Sequence, residues 1–334
     1  MEKSNFYKNK IILITGGVGS IGSEIVKRLL KLDPKSIRVF DNNETALFYF
    51  GQEFQSEKIR LLTGDVRDRL RIEMAMEDVD IVFHCAALKH VPLCEYNPFE
   101  AVQTNVIGTQ NVIDACLKNK VKRMINISTD KAANPINVMG ATKLLTERLV
   151  IAANHYKGNN KTIFASVRFG NVLNSNGSVL PVFCQQIKKG GPVTVTNPDM
   201  ERFVMSIPKA VGLVLKSAEI MKGEEIFILK MPVVRLGDFT SALIEEVSPK
   251  YGYNPSEIKI KIIGERNGEK HCEELITRNE LKNAIETKDM FTIFPYSDNK
   301  NRFPIHNDIP SKNSNFLSKE EIKKLLKETL SFSE

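Results

Sequence analysis

The feature that most constrains the fold is a glycine-rich turn between an apolar run and a helical pattern. Residues 11–14 (Ile-Ile-Leu-Ile) suit a buried parallel strand. Gly16, Gly19 and Gly22 follow with G-x-x-G-x-x-G spacing, and residues 23–30 have helical periodicity. A strand, a tight glycine turn and a helix in this order predict a dinucleotide site, with the phosphates at the positive end of the helix. The alternative is a glycine turn that binds nothing.

An acidic residue after the second predicted strand supports the nucleotide interpretation. Residues 37–40 form a second predicted strand that ends at Asp41, 19 residues after Gly22. A carboxylate at about this spacing binds the adenosine ribose and repels a 2′-phosphate, which favours NAD over NADP. Arg38 offers a partner for such a phosphate, so NADP remains open, and Asp41 is alternatively a cap for a helix starting near Glu44. The residues predicted to bind the cofactor at this turn are Gly16, Gly19, Ser20, Ile21, Gly22 and Asp41.

Strand and helix patterns alternate through the first half of the chain. Further strands are predicted at 59–62, 80–84, 124–128 and 162–168, and helices at 67–77, 98–118 and 139–156. This alternation predicts an α/β fold with a Rossmann-like doubly wound parallel sheet in residues 1–172. Residues 173–334 are predicted to form mainly a smaller α/β substrate-binding lobe, from which the chain can cross back to the first domain. There we predict strands at 193–196, 225–229 and 258–263, helices at 208–221, 236–247 and 322–330, and a surface segment at 285–315.

Small or polar residues follow several of the predicted strands. Ligands of doubly wound sheets bind at the carboxyl ends of the strands. Asp65 is placed to accept a hydrogen bond from the adenine amino group, with Val66 beside it, and the small Ala86 and Ala87 let the backbone approach the cofactor. Each is by itself an ordinary strand exit, but six such strand ends favour one shared site.

Composition narrows the class of protein. The chain has 334 residues, of which 42% are hydrophobic and 26% charged, as in globular proteins. Five cysteines without paired spacing predict neither a disulfide framework nor a metal site. The net charge of +7 comes without a basic cluster interleaved with aromatics, so we expect a lysine-rich surface and no nucleic acid partner. No signal region or membrane-length apolar stretch is present, so we expect a cytoplasmic protein without membrane insertion.

Six sequence segments together resemble the extended short-chain dehydrogenases. They are residues 15–22, 86–92, 104–109, 128–131, 135–143 and 168–172. More narrowly, the Ala-Leu-Lys-His-Val-Pro and Thr-Asp-Lys-Ala runs resemble the UDP-N-acetylglucosamine 4,6-dehydratases of bacterial polysaccharide and protein-glycan synthesis, over about residues 10–275. That family has soluble and membrane-anchored members, and this chain resembles the soluble ones. The resemblance implies a UDP-sugar substrate and a homo-oligomer.

One substitution separates this chain from most of the superfamily. Short-chain dehydrogenases carry Tyr-x-x-x-Lys on a helix, and here Lys143 is retained while Met139 occupies the tyrosine position. A thioether cannot act as a base. Some members of the resembled family also carry Met there, which implies an active enzyme whose proton transfers fall to other groups. The neighbouring run Thr129, Asp130 and Lys131 supplies them, although it can also be read as a solvated strand exit.

The resemblance implies a reaction with three parts: oxidation at C4, elimination of water across C5 and C6, and return of the hydride to C6. The NAD would therefore stay tightly bound and be regenerated in each turnover. Lys131, with or without Asp130, is assigned to proton transfer at C5 and C6, Thr129 to the C4 oxygen and Lys143 to the nicotinamide ribose. Deprotonation at C4 by Lys131, in place of the absent phenol, is the alternative. Whether Lys131 or Asp130 is the C5 base, and whether C5 inverts, stays open.

The resemblance also implies contacts with the nucleotide sugar. The residues assigned to the substrate are Lys89, His90, Asn171, Val179, Thr194, Arg202, Arg266 and Glu269, and Lys89 and Asn105 are also assigned to the cofactor. Asn171 and the two arginines would bind the diphosphate, Val179 and Thr194 the uracil, and Glu269 the uridine ribose. Surface ion pairs for the arginines and a structural role for His90 are the alternatives. For the whole chain, the alternatives are a UDP-hexose or UDP-N-acetylhexosamine 4-epimerase, or a non-catalytic NAD-binding sensor of nucleotide sugars.

Overall fold

A computed structural model describes residues 5–296 and 316–330. The strands are β1 (Ile11–Thr15), β2 (Ser36–Asp41), β3 (Ile59–Thr63), β4 (Ile81–His84), β5 (Arg123–Thr129), β6 (Ile163–Phe169), β7 (Asn171–Leu173), β8 (Val193–Val195), β9 (Glu201–Ser206), β10 (Ile226–Leu229), β11 (Val233–Arg235), β12 (Ile260–Ile262), β13 (Ala284–Glu286) and β14 (Met290–Ile293). The helices are α1 (Ser20–Leu30), α2 (Glu44–Glu53), α3 (Arg69–Ala75), α4 (Val91–Tyr96), α5 (Pro98–Ala101), α6 (Gly108–Lys118), α7 (Val138–Tyr156), α8 (Val179–Lys188), α9 (Ile207–Ile220), α10 (Leu236–Val247), α11 (Arg278–Leu281) and α12 (Lys319–Leu330).

Nine strands form the central sheet, in the order β13-β14-β10-β6-β5-β4-β1-β2-β3. Within this sheet, the seven neighbouring strands β10, β6, β5, β4, β1, β2 and β3 pair in parallel. The strand β14 is antiparallel to both β10 and β13. This confirms the predicted α/β class with a doubly wound sheet. The chain order reverses at β1, which lies between β2 and β4, and ligands of such sheets bind at this kind of switch point.

Alternating side chains of the strands fill a hydrophobic layer on each face of the sheet. In β1, Ile12 and Ile14 lie in the core that includes residues of α1 and α9, whereas Leu13 lies in the core that includes residues of α3, α6 and α7. All three are fully buried. Burial of each such side chain contributes about 1.5–3 kcal/mol, so two-sided burial explains why these strands read as continuous apolar runs.

The second half of the chain builds a smaller lobe and also returns to the central sheet. Sheets β11-β9-β7 and β12-β8 pack with α8, α10 and α12 around a separate core that contains Phe183, Phe239 and Leu326. The strand β10 and its antiparallel partner β14 then extend the main sheet. Among the described residues, no helix combines the length and apolar character needed to cross a membrane.

The prediction that residues 285–315 form a surface segment is wrong for the part of it that the structure describes. Residues 284–286 and 290–293 form β13 and β14, and Met290, Phe291 and Ile293 are buried. The Asn-, Pro- and Asp-rich composition of the segment concealed a short apolar run that extends the sheet from β10. Residues 297–315 lie outside the described part of the chain.

Candidate functional site

A cavity of about 600 Å³ runs along the carboxyl ends of the parallel strands. Residues from the ends of β1 to β6, from α7 and from the start of α8 line it. The predicted site residues in its wall are Gly16, Gly19, Ser20, Ile21, Gly22, Asp41, Asp65, Val66, Ala86, Ala87, Lys89, His90, Thr129, Lys131, Met139, Lys143, Asn171 and Val179. The fold therefore brings predicted site residues that are up to 163 positions apart in the sequence, Gly16 and Val179, into one wall.

The glycine turn at one end of the cavity has no room for side chains. Gly16 has a φ of +65°, and a Cβ there would lie 2.6 Å from the backbone N of Ala86. A Cβ on Gly22 would lie 2.4 Å from the backbone O of Gly16. Helix α1 starts at Ser20, so its first N–H groups face the cavity end where an anion is favoured.

The carboxylate of Asp41 is oriented by two backbone amides. Its Oδ2 accepts from the N–H of Val18 at 3.3 Å and its Oδ1 from the N–H of Asn43 at 3.0 Å. The interpretation of Asp41 as a helix cap is wrong, because Asn43 caps α2 with its own side chain. The Arg38 guanidinium donates to the carbonyl of Ala75 at 2.8 Å, and this contact directs it toward the end of α3.

Asp65 is fixed at the same end of the cavity. Its carboxylate accepts from the N–H and the guanidinium of Arg67 and from the side-chain amide of Asn42. Burial alone would raise the pKa of Asp65, but the hydrogen bonds from Arg67 and Asn42 lower it below its ordinary value. The group is thus an ionised acceptor at neutral pH.

Lys131 reaches the cavity with an anionic cluster behind it. Its Nζ lies 3.0 Å from Oδ1 of Asp130, 3.1 Å from Oε1 of Glu273 and 3.5 Å from Oδ1 of Asn171. The Lys131 side chain is 20% exposed, whereas those of Asp130 and Glu273 are 0% and 2% exposed. Burial alone would lower the pKa of Lys131, but the two carboxylates outweigh it and raise the pKa above its ordinary value.

The two carboxylates beside Lys131 belong to Asp130, which the sequence analysis predicted as a site residue, and Glu273, which it did not. Asp130, predicted to be catalytic, lies behind the cavity wall, where its Oδ1 also accepts from the Thr129 hydroxyl at 2.9 Å. Glu273 was missed by sequence reasoning, because nothing local distinguishes it from the acids around it at 269 and 274. Only the fold brings it to Lys131.

Helix α7 places Lys143 and Met139 on the cavity wall. The Nζ of Lys143 donates to the carbonyl of Ile127 at 2.5 Å. Burial lowers the pKa of Lys143 to about 8, and the negative charge of Glu147 opposes this only in part. Met139 is 4% exposed and packs with Cys94 and Ala101, so its side chain fills space at the position where the resembled superfamily carries a phenol.

A buried ion network lies directly behind these residues. Arg168 donates two hydrogen bonds to Glu147, at 3.0 and 2.6 Å, and two to Glu280, at 3.0 and 2.8 Å. Glu147 also accepts from the Ser128 hydroxyl at 2.6 Å. The network joins β5, β6, α7 and α11, so it fixes Lys143, one helical turn before Glu147, relative to the end of β5. No sequence pattern indicated it.

The loop at 174–178 closes over the glycine turn. The N–H of Asn176 donates to the Ser20 hydroxyl at 2.8 Å, and the Lys89 ammonium donates to the carbonyl of Asn176 at 2.6 Å. Gly177, with a φ of +68°, lies against the His90 ring, where a Cβ would be 2.4 Å from Cε1. Lys89 and His90 thus connect the segment after β4 to this loop.

Asn105, predicted to contact the cofactor, holds the segment after β4 in place. It is buried in a π-helical turn at 102–107. Its side chain accepts from the N–H of Leu88 at 2.8 Å and donates to the Leu88 carbonyl and the Thr142 hydroxyl, both at 3.0 Å. Asn105 thus links the strand-end segment to α7 from outside the cavity wall.

Three predicted substrate residues lie away from the cavity wall. Thr194 on β8 exchanges two hydrogen bonds with the Gln186 side chain, at 2.7 and 3.0 Å. Arg266 is exposed and Glu269 is half-buried, in the loop that follows β12. The structure does not bring these side chains into the cavity with the strand-end motifs.

Arg202 also lies outside the wall but close to its charged cluster. Its guanidinium donates to the backbone carbonyls of Glu201 at 2.8 Å and His271 at 3.1 Å. Its positive charge acts to lower the pKa of Lys131, against the two carboxylates. Arg202 is therefore a positive charge near Lys131 that opposes the effect of Asp130 and Glu273 on its pKa.

Comparison with known proteins places the chain in a family. Residues 12–295 match the family described as polysaccharide biosynthesis protein. The chain belongs to this family. A Methanocaldococcus jannaschii protein named as an uncharacterized membrane protein is 64% identical over 97% of both chains. A Campylobacter jejuni UDP-N-acetylglucosamine 4,6-dehydratase (inverting) is 42% identical over 90% of this chain and 88% of its own length.

Other similar proteins and solved structures have different names. A Rickettsia bellii UDP-glucose 4-epimerase is 39% identical over 96% of both chains. The crystal structure of Pen from Bacillus thuringiensis matches with a TM-score of 0.91 and 47% identity, over 97% of this chain and 98% of that one. The dTDP-glucose 4,6-dehydratase DesIV of Streptomyces venezuelae, solved with NAD and TYD, matches with a TM-score of 0.69 and 21% identity over 78% and 86%. This last likeness shows the fold alone.

Proposed function

We propose that the protein is a UDP-N-acetylhexosamine 4,6-dehydratase that acts on UDP-N-acetylglucosamine with tightly bound NAD. The observation that carries the proposal is the Lys131 ammonium in the wall of a nucleotide-type cavity, backed by two buried carboxylates, where a methionine replaces the phenol. A 4,6-dehydration needs acid and base groups beyond those of a C4 oxidation, and this cluster supplies them. The 42% identical Campylobacter jejuni protein is named for the same activity.

The glycine turn fits the pyrophosphate of NAD. Gly16 and Gly22 leave a cradle that any Cβ would fill, and the start of α1 supplies N–H groups. Asp41 would bind the adenosine ribose, and the direction of Arg38 toward Ala75 supports NAD over NADP. When bound, NAD would supply the hydride acceptor for C4 and the hydride donor for C6. The loop over the turn, held by Ser20 and Lys89, supports retention of the cofactor through turnover.

The catalytic roles follow from which groups reach the cavity. Thr129 would hydrogen-bond the C4 oxygen, and Lys143 would bind the nicotinamide ribose. Lys131, whose ammonium contacts Asp130, would first release its proton to solvent, and the neutral amine would take the C4 hydroxyl proton or the C5 proton, with Asp130 as the alternative base at C5. The ammonium formed in this way would donate a proton to the C6 hydroxyl, which leaves as water. Asn171, next to Lys131, would meet the substrate diphosphate. Met139 contributes volume and no proton.

A second candidate is a UDP-sugar 4-epimerase. It is favoured by Rickettsia epimerases of 37–39% identity over 96% of the chain, which is similar to the identity of the dehydratase. An epimerase oxidises and reduces C4 without elimination at C6. It therefore leaves the C5 proton and the C6 hydroxyl in place.

Proton NMR of the purified protein with UDP-N-acetylglucosamine in D2O separates the two activities. Dehydration gives a new C6 methyl signal with deuterium at C5, and the ring couplings report the configuration at C5. Accumulation of the C4 epimer alone would replace the proposal with the epimerase. If NAD is bound and neither product forms from a panel of nucleotide sugars, the protein is a sensor.

Two variants test the assigned roles. Lys131→Ala removes the acid/base group, so we expect turnover to fall by about 10²–10⁴-fold while NAD remains bound. Met139→Leu keeps a similar apolar volume, so we expect it to retain most of the turnover. Wild-type rates in Lys131→Ala would contradict the mechanism. A loss in Met139→Leu as large as that in Lys131→Ala would give the sulfur a chemical role.

A further inference from the structure

Among the described residues, Glu273 is the one anionic partner of the Lys131 ammonium that comes from the second half of the chain. Its Oε1 lies 3.1 Å from Nζ, almost the same distance as Oδ1 of the adjacent Asp130. Asp130 follows Thr129 directly at the strand end, so its position is set by the local backbone. Glu273 reaches Lys131 only through the fold.

The backbone around Glu273 is anchored on both sides. Before it, Cys272 forms a parallel bridge with Glu201 of β9. After it, Leu275 and Ile276 are buried in the main core, and the Leu275 carbonyl accepts from Arg168 at 2.9 Å. The Arg168 network also holds β5, from which Lys131 follows. A single buried frame therefore fixes both sides of the contact between Lys131 and Glu273.

The charges of this cluster favour a protonated lysine. Asp130 and Glu273 are buried carboxylates, and each has one oxygen without a hydrogen-bond partner among the described residues. Buried carboxylates are costly unless a cation pairs with them. The charged groups that act on Lys131 are these two anions and the cation Arg202, and the anions outweigh burial and Arg202 together. Loss of either anion would weaken the hold on the proton.

We propose that Glu273 is a positioning residue that acts through Lys131, fixing its amine at the cavity wall and keeping it charged in the resting site. This inference deepens the proposed function, since Lys131 is the group assigned to proton transfer. It adds a residue that no strand-end motif contains.

The protonation of Lys131 can be read without any turnover. Only a neutral amine reacts with acetic anhydride, so mass spectrometry of Lys131 acetylation against pH reports where the proton is lost. A charge at this distance shifts a pKa by about 1–3 units. We therefore expect the Lys131 labelling curve of Glu273→Gln to move to lower pH by about 1–3 units. The matched control is Glu274→Gln, whose carboxylate instead accepts from Asn134, and its curve should coincide with wild type.

The turnover profile gives the second readout. In Glu273→Gln we expect kcat to fall at least about tenfold, as for a weakened acid/base group, with KM changed less than about threefold, because the affected group acts in the chemistry. The limb of the pH profile governed by Lys131 should move to lower pH, and Glu273→Asp should restore part of kcat. A labelling curve identical to wild type, or an equal shift in Glu274→Gln, would overturn the inference. If wild type fails to dehydrate the sugar, the proposed function fails, and the labelling result still decides the role of Glu273.

Discussion

Gly140 lies where helix α7 meets the backbone of Lys131, and this contact leaves no room for a side chain. A Cβ at Gly140 would lie 2.3 Å from the Lys131 carbonyl O and 3.2 Å from Oδ1 of Asn137, the N-cap of the helix. Ordinary contact starts at 3.4 Å, so Gly140→Ala requires the two backbones to separate by about 1 Å, given the tight packing of interiors. Lys131 would then move relative to Lys143 on α7.

The expected magnitude follows from two opposing effects. Alanine stabilises a helix interior by about 0.5–1 kcal/mol relative to glycine, whereas overpacking a core costs about 1–3 kcal/mol. Because the neighbour is backbone, the second effect should dominate, and we expect a net loss of about 0.5–2 kcal/mol. A misplacement of about 1 Å at a reacting group can cost about 10²-fold in rate. We expect a loss of that order in the turnover of UDP-N-acetylglucosamine.

Urea denaturation and steady-state turnover of Gly140→Ala test this expectation. The control is Gly212→Ala in helix α9, where the nearest atom to a Cβ is Nη1, at the far end of the Arg28 side chain, at 3.1 Å. There the helix preference should dominate, so we expect equal or greater stability and unchanged turnover. If Gly140→Ala proved as stable and as active as Gly212→Ala, the close contact between α7 and Lys131 would not control the geometry of the site.

Three further predictions concern the frame of the cavity. Arg168→Met leaves two buried carboxylates without their cation, so we expect a loss of about 3–5 kcal/mol in urea denaturation; full stability would contradict the network. Gly177→Ala forces the His90 ring aside, so we expect faster loss of bound NAD by fluorescence, whereas Gly158→Ala, with positive φ but open space, should retain it. The pKa of Lys143 is lowered to about 8, so the unfolded chain binds this proton more tightly. Stability should therefore rise from about pH 8 toward about 10.4, and the difference curve between wild type and Lys143→Met should show that rise; a flat difference would exclude a buried amine.

The parts of the structure that the sequence predicted depend on local patterns. The strand patterns of β1 and β2 and the glycine spacing each depend on a few neighbouring residues, because strand burial and tight turns are short-range requirements. Asp41 was found from its place at the end of the second strand. The helix predicted at 236–247 coincides with α10. The segment at 285–315 failed because its polar composition hid a short strand, and strand membership depends on the neighbouring β10.

The candidate site also has residues that the sequence predicted and residues whose positions only the structure shows. Lys131, Lys143 and Met139 were accessible from the sequence because they belong to contiguous motifs at one strand end and one helix. Thr194 and Arg266 were assigned by resemblance, and the structure places them outside the cavity wall. Their side-chain directions depend on the packing of the second lobe, which short-range patterns do not report.

The sequence by itself determined the alternation of strands and helices in the first half of the chain, and with it which motifs lie at the carboxyl edge of the sheet. That information is local, since periodicity and turn chemistry are set by neighbouring residues. Only the tertiary structure decided the electrostatics of that edge: Arg168 meets Glu280 across 112 residues, and Glu273 meets Lys131 across a longer separation. Charge interactions depend on distance and burial in space, so the protonation of the central lysine is a property of the folded chain.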